Sequence, residues 1–511
     1  MNVAFRVDAS ALIGSGHFMR CLTLADRFRQ RGVDTRFVCR WIPDHFKHML
    51  AAKGHALAEL LSLPGDRLPD SNGGGEYSGW LGVTQDRDAE ETMAALAGQV
   101  WDWLVVDHYA LDKNWESRLR ACASGVLVID DLANRDHDCD LLLDQNRAEA
   151  DSPQYRSRVP DGCRLLLGPR YALLREDFQQ HHRNVSPRQR EVHRVFVFFG
   201  AVDANGYTLH AIHALANIGD SLAVDVVVGA QNPHLDEIRR LCARYSYDCH
   251  IQTDQMAALM ASADLAIGAG GGNLWERCAL GLPALVICTA DNQRAQVETA
   301  ARDGLICLTE AGGDVPGMLE SHLKTLIGNR QLRMSISERC IERVDARGAS
   351  RVVSAMSYRW VKLRKATPGD CEKIFHWRNH PDVRKHSRNA APMTLEAHGD
   401  WYAAVLRDHN RILLIGSCDG EDLGVVRFDL NDAHEAEVSI YLCPARLNSR
   451  MGEPLLISAE SWLRQNLPDV SRLRAVVLAA NAPSQGLFLK AGYRMESTAF
   501  IKQLDRVRTS P

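Results

Sequence analysis

Residues 3–20 read VAFRVDASALIGSGHFMR. The first five of these are apolar except for one arginine, as in a strand buried on both faces of a parallel sheet. Small residues and two glycines follow, and apolar positions then return at helical spacing over residues 19–30. Strand, glycine turn and helix make the opening of a βαβ unit. Short β-rich runs recur at residues 35–39, 103–107 and 126–130, separated by helical patterns. This alternation predicts a parallel sheet flanked by helices.

Working outward, the Gly-rich and polar stretch 64–82 carries no apolar period and reads as an exposed loop. The polar segment 179–190 marks a boundary, after which a second βα series runs through residues 195–199, 223–228, 265–267 and 284–287. Two parallel-sheet domains in tandem, residues 1–180 and 190–350, imply a cleft between them where ligands bind. A helical pattern over 351–358 leads to a third composition, residues 361–508. Its runs at 413–416, 424–430 and 436–442 read as consecutive antiparallel strands.

The 511 residues carry 60 basic and 64 acidic side chains without a long basic run, which argues against nucleic acid or an anionic membrane as a partner. No apolar stretch reaches bilayer-spanning length, and a cytoplasmic protein is expected. The 14 cysteines are scattered singly, as reduced thiols rather than a disulfide frame. Cys139, between Asp138 and Asp140, lacks a second cluster, so no metal site is expected.

Within the opening motif, Gly14, Ser15 and Gly16 bring backbone close to a ligand at a helix start, which is an anion site in its own right. His17 on that turn reads either as a general base or as a capping or surface histidine. Asp8 and Arg20 would orient it, or would pair with each other. In the second series, Gly270, Gly271 and Gly272 expose N–H groups to a diphosphate, with Asn273 beside them. Glu276 either accepts from ribose hydroxyls or interacts with the helix dipole. Asn292 and Gln293 either face the ligand or cap a helix.

Residues 6–28 (RVDASALIGSGHFMRCLTLADRF), 105–120, 128–146 and 166–178 resemble, in the expected order, the UDP-sugar hydrolases of pseudaminic acid synthesis. Residues 269–287, AGGGNLWERCALGLPALVI, resemble the UDP site of that family and of related GT-B glycosyltransferases. The resemblance implies two Rossmann-like domains in GT-B arrangement and inverting, metal-independent cleavage of a UDP-amino-deoxysugar, with His17 as base and Gly14, Ser15, Gly16 and Arg20 against the substrate. The sequence departs from the family where Gly272, Asn273 and Leu274 replace a Ser/Thr stretch, and where His108 replaces a small polar residue.

Residues 363–387 and 481–497, with the antiparallel run between them, resemble the GNAT superfamily of acyl-CoA-dependent N-acyltransferases, a mixed α/β fold. The resemblance implies acetyl-CoA as co-substrate, held by Arg446, Arg450, Gly452 and Asn481. Trp377, Arg378 and Asn379 resemble the WRN segment of the pseudaminic-pathway N-acetyltransferase, which faces the nucleotide-sugar; the other reading is a helix with Trp377 in the core. The loop RLNSRMG lacks one glycine of the usual pattern, and Phe488 stands where many relatives carry a proton-donating tyrosine. The expected function joins 4-amino acetylation of UDP-4-amino-4,6-dideoxy-N-acetyl-β-L-altrosamine to hydrolysis of the product. The alternative is a GT-B glycosyltransferase with a non-catalytic acetyl-CoA-binding or structural GNAT module.

Overall fold

The computed structural model describes residues 2–10, 12–60, 77–146, 153–219, 221–309, 314–357, 361–387, 389–418, 420–431, 435–447, 449, 451–467, 469–491 and 493–495. The chain divides into two compact units, Met1–Val353 and Ser354–Pro511. No helix among the described residues is long and apolar enough to cross a membrane.

The first unit holds two parallel sheets. One is built from β1 (Asn2–Val7), β2 (Asp34–Cys39), β3 (Ala56–Glu59), β4 (Trp103–Asp107), β5 (Val126–Ile129), β6 (Leu141–Asp144) and β7 (Arg164–Leu167). Its order is β3-β2-β1-β4-β5-β6-β7. The chain moves outward from β1 to β3, then returns to the other side of β1 with β4. Loops at the carboxyl ends of β1 and β4 therefore part and leave a crevice.

The second sheet repeats this logic with β8 (Arg194–Phe198), β9 (Ala223–Val228), β10 (Asp248–Ile251), β11 (Leu265–Ala269), β12 (Ala284–Ile287) and β13 (Cys307–Thr309), in the order β10-β9-β8-β11-β12-β13. Its crevice lies beyond β8 and β11. β11 extends past the expected residue 267 because Gly268 and Ala269 still pair with Val286 and Ile287. Only glycine fits at 268, since an added Cβ would lie 2.2 Å from the Phe198 carbonyl oxygen.

Arg6, the charge inside β1, is fully buried and paired on both sides, to Asp8 at 2.8 Å and to Asp88 at 2.7 Å. The pairing makes a charged residue tolerable in a strand that is otherwise core.

In the second unit, β14 (Lys362–Lys365), β15 (Arg411–Cys418), β16 (Glu421–Leu430) and β17 (Glu435–Leu442) form an antiparallel run, and β18 (Arg472–Arg474) joins in parallel. Side-chain alternation sends Leu413, Ile415 and Val425 toward the helices Cys371–Asn379 and Leu395–Arg407. Leu414 and Val426 pack on the opposite face with Leu455, Leu456 and Ala459 of the helix Gly452–Asn466. β18 pairs only with Glu435, Ala436 and Glu437. Beyond that point the outer edge of β17 has no strand partner among the described residues.

Candidate active site

His17 stands on the first turn of the helix Gly16–Arg29, directly after β1. Gly14, at φ +78°, closes the turn by donating its N–H to the Ser10 carbonyl at 2.8 Å. Ser15 is the cap residue but uses no side-chain bond, and Gly16 opens the helix. Asp107 ends β4 and pairs in register with Val7. The crevice between β1 and β4 thus sets His17 Nδ1 at 2.6 Å from Asp107 Oδ1.

Arg20, one turn further along the same helix, donates to Asp107 from Nε at 2.6 Å and from Nη2 at 2.7 Å. Burial pushes the Asp107 carboxyl upward, but Arg20 and then His17 outweigh it and hold the group well below the usual carboxylate range. A permanently ionised Asp107 accepts the Nδ1 proton and leaves Nε2 as the basic nitrogen. Nε2 has no hydrogen-bond partner among the described residues, and the residue is 8% exposed.

The groups against His17 Nδ1 are therefore Asp107 and, of the two expected residues, Arg20, whose Nη2 lies 3.2 Å away; Asp8 is not among them and is not bonded to Arg20. Asp8 is occupied with Arg6 and with the backbone N–H of Arg40 at 2.7 Å, and lies 3.3 Å from His108 Nε2. Arg20 instead extends to Asp131 Oδ2 at 3.1 Å, where Tyr109 donates to Oδ1 at 2.5 Å. The stretch read as an exposed loop ends, at residues 77–82, against the site. The turn Ser78–Trp80 stacks Trp80 on Tyr109 with ring centres 5.3 Å apart, and Tyr109 meets His17 edge-on at 4.5 Å. Residues 64–76 of that stretch lie outside the described residues.

In the second sheet the glycine run leaves β11 at the matching crevice. Gly271, at φ +80°, precedes the helix Gly272–Ala279. Gln293 flanks this loop closely enough that a Cβ at Gly270 would sit 3.0 Å from its Oε1. Asn292 lies on the helix Asp291–Arg302, but its side chain is outside the described set. Asn273 Nδ2 donates to Glu276 Oε2 at 2.5 Å, and Arg175 lies 4.0 Å from the other carboxylate oxygen. Burial raises the Glu276 carboxyl above its ordinary value, against the opposing pull of Arg175 and Asn273.

The two crevices are joined by hydrogen bonds. Trp275 Nε1 donates to Asn146 Oδ1 at 2.8 Å, and Asn146 Nδ2 donates to Asp131 Oδ2 at 3.1 Å. An unbroken polar chain therefore runs from His17 through Asp107, Arg20, Asp131 and Asn146 to the glycine-loop helix. Asp107, Asp131, Asn146 and Trp275 all lie in the stretches that carry the family resemblance, and Asp107 and Asp131 are expected there as strand-end groups, but no local pattern says that these four connect.

In the second unit the helix Gly452–Asn466 starts beside the free edge of β17, and Gly452 is its first residue. Arg446, on the turn Pro444–Arg446, is ion-paired with Glu421. Arg450 lies outside the described residues. Asn481 caps the helix Ala482–Lys490 by accepting from Ser484 N–H at 3.1 Å, and its Nδ2 donates to the His386 carbonyl at 3.2 Å. An unpaired strand edge beside a helix N-terminus fits an amide-bearing pantetheine arm and a pyrophosphate.

Of the WRN residues, Trp377 packs against the apolar layer under the sheet. Asn379 clamps Met393 through both its amide groups, at 2.9 and 3.1 Å. Arg378 keeps a buried Nη1 with no hydrogen-bond partner among the described residues. Phe488 is in the core, edge-on to Tyr493, whose hydroxyl donates to Glu460 Oε1 at 2.9 Å.

These features define two parallel sheets with facing crevices joined by a polar chain and, separately, an antiparallel run with a free edge. Residues 361–494 match the family model of the acetyltransferase (GNAT) domain. The UDP-2,4-diacetamido-2,4,6-trideoxy-β-L-altropyranose hydrolase of Campylobacter jejuni is 24% identical over 306 residues, 60% of this chain and 97% of its own length. Among solved structures, MurG of Acinetobacter baumannii covers 70% of this chain and 99% of its own at 15% identity and a TM-score of 0.46. The aminoglycoside acetyltransferase AAC(6')-Ib in complex with coenzyme A covers 27% and 87% at 19% identity and a TM-score of 0.25. The chain joins a part similar to the altropyranose hydrolase to a GNAT acetyltransferase domain.

Proposed function

We propose that the protein acetylates the 4-amino group of a UDP-amino-deoxysugar with acetyl-CoA, then hydrolyses the diacetamido product to free sugar and UDP. The observation that carries the hydrolytic half is His17 held by a buried, ionised Asp107 at the β1–β4 crevice, tied through Asn146 to the glycine-loop helix. His17 Nε2 takes a proton from water as the oxygen bonds to the anomeric carbon, on the face opposite the nucleotide. The C–O bond to UDP breaks, its electron pair leaves with the diphosphate, and the anomeric configuration inverts. Asp107 stabilises the imidazolium that forms.

Gly270, Gly271 and Gly272 receive the diphosphate, Glu276 the ribose, and Asn273, Asn292 and Gln293 line the same pocket. In the GNAT domain the amine attacks the thioester carbonyl, the C–S bond breaks, the nitrogen gives up one proton to solvent as the amide forms, and the CoA thiolate takes one up from solvent. Gly452, Arg446, Arg450 and the β17 edge hold the cofactor; Arg378 is the WRN residue with a donor to spare for the nucleotide-sugar.

Mass spectrometry of UDP-4-amino-4,6-dideoxy-N-acetyl-β-L-altrosamine incubated with the protein, with and without acetyl-CoA, tests the reading. UDP release is expected only after acetylation. Equal UDP release without acetyl-CoA would count against the order of steps. Transfer to an added sugar acceptor would establish the glycosyltransferase alternative.

A further inference from the structure

Arg277 is 1% exposed and sits on the helix that follows the glycine loop. Helical side chains lean toward the N-terminus, so its guanidinium reaches back beneath the loop. Nη2 donates to the Ala269 carbonyl at 2.6 Å, and Nη1 would stand 2.8 Å from a Cβ at Gly268. Nε and Nη1 have no acceptor, and no carboxylate is within ion-pair distance among the described residues. Burial pushes the guanidinium down to about 10, only partly offset by Cys278 and Glu276.

A buried cation without a partner costs stability. Its position suggests what balances it. Drawing the Ala269 carbonyl down to Arg277 fixes the peptide from which the glycine loop leaves β11. Gln296 holds the loop two residues further along, donating to the Gly271 carbonyl at 3.1 Å and leaving the Gly272 N–H on the opposite side of that peptide. Two side chains thus preset the loop as a cradle of N–H donors.

We propose that Arg277 is a positioning residue for a diphosphate: it anchors the start of the glycine loop through the Ala269 carbonyl, and the anion bound at the loop balances its buried charge. This rests on the nucleotide-sugar reading of the glycine loop.

The test is Arg277→Met in the full chain, with UDP and uridine titrated by NMR and thermal melting followed without ligand. Met fills the space but carries no charge. The expected result is an unchanged or higher Tm, UDP affinity lower by about tenfold or more, and uridine affinity unchanged. Arg277→Lys should recover part of the lost UDP affinity. Equal losses for UDP and uridine together with a lower Tm would assign Arg277 a purely structural role and overturn the proposal, as would UDP affinity within about threefold of the parent. If Arg277→Met does not fold, Arg277→Gln replaces it under the same criteria. A parent chain that binds no UDP removes the nucleotide reading itself, which is a distinct outcome from a parent that binds and a variant that binds equally.

Discussion

At the scale of single residues, His17 Nδ1 lies 2.6 Å from Asp107, and under the proposed mechanism the two act as one group, the carboxylate setting which ring nitrogen is basic and stabilising the imidazolium. His17→Ala and Asp107→Asn should each lower UDP release by about 10²–10⁴ while UDP still binds, and the double variant should be little worse than the worse single one. Multiplicative losses, read from steady-state rates, would show that the two act separately. Asp144 behaves in the opposite way to Asp107. It lies in a carboxylate cluster where burial, then Asp131, pushes it up to about 7, and it contacts Tyr155 at 2.9 Å and the Asn146 N–H at 2.8 Å. Tyr155 has one proton to give, and its oxygen also lies 3.1 Å from Asp130 Oδ2, so a protonated Asp144 completes the cluster. A raised folded value means that the unfolded chain ionises first, so stability falls as pH rises from about 4 to about 7 and is level above that. Asp144→Asn should therefore stabilise the protein by about 2 kcal/mol more at pH 8 than at pH 5 in urea titrations. An equal effect at both values would place the proton elsewhere.

At the scale of elements, the site follows from strand order. β1 and β4, and likewise β8 and β11, are neighbours whose following loops diverge, which is why the GSGH turn and the glycine run each face an open crevice. The end of β6 and the helix Gly272–Ala279 meet through Asn146 and Trp275. Trp275→Phe keeps an aromatic ring at the position while removing the Nε1–H donor together with part of the indole. It should lower kcat/KM for hydrolysis by about fivefold, with a coupling of about 1 kcal/mol to Asn146→Ala in a double-mutant cycle. Additive losses would mean that the bond does not serve the site.

At the scale of the whole molecule, two compact units lie on one chain, one with parallel sheets and the other with an antiparallel run opened along β17, and the proposed function assigns each its own reaction. Phe488 is packed in the core and the Tyr493 hydroxyl donates to Glu460, so neither position offers a free tyrosine donor. The full chain should nonetheless release free CoA when the 4-amino sugar is supplied, as a thiol assay reads, since a thiolate is a tolerable leaving group. Phe488→Tyr should leave that rate unchanged or raise it. A parent that binds acetyl-CoA but releases none, with a Phe488→Tyr variant that turns over, would mark a decayed enzyme.

The chain's local patterns determined the order of strands and helices, the two glycine loops, the antiparallel run and the position of His17. Each is written in the period of buried side chains or in residues that only a turn accepts. Strand ends moved by one or two residues where ladder pairing continued past the apolar run, as at Gly268 and Ala269. Pairings across long sequence separations were decided by the tertiary structure alone. Asp107 reaches His17 across 90 residues because the sheet order sets β4 beside β1, while Asp8, nearer in sequence, is consumed by Arg6. The same holds for Trp275 with Asn146, for the buried charge of Arg277, and for Trp377 and Asn379, which the fold uses for packing and clamping. A local pattern records which face of an element is buried, and only the assembled sheets decide which polar groups that burial brings together.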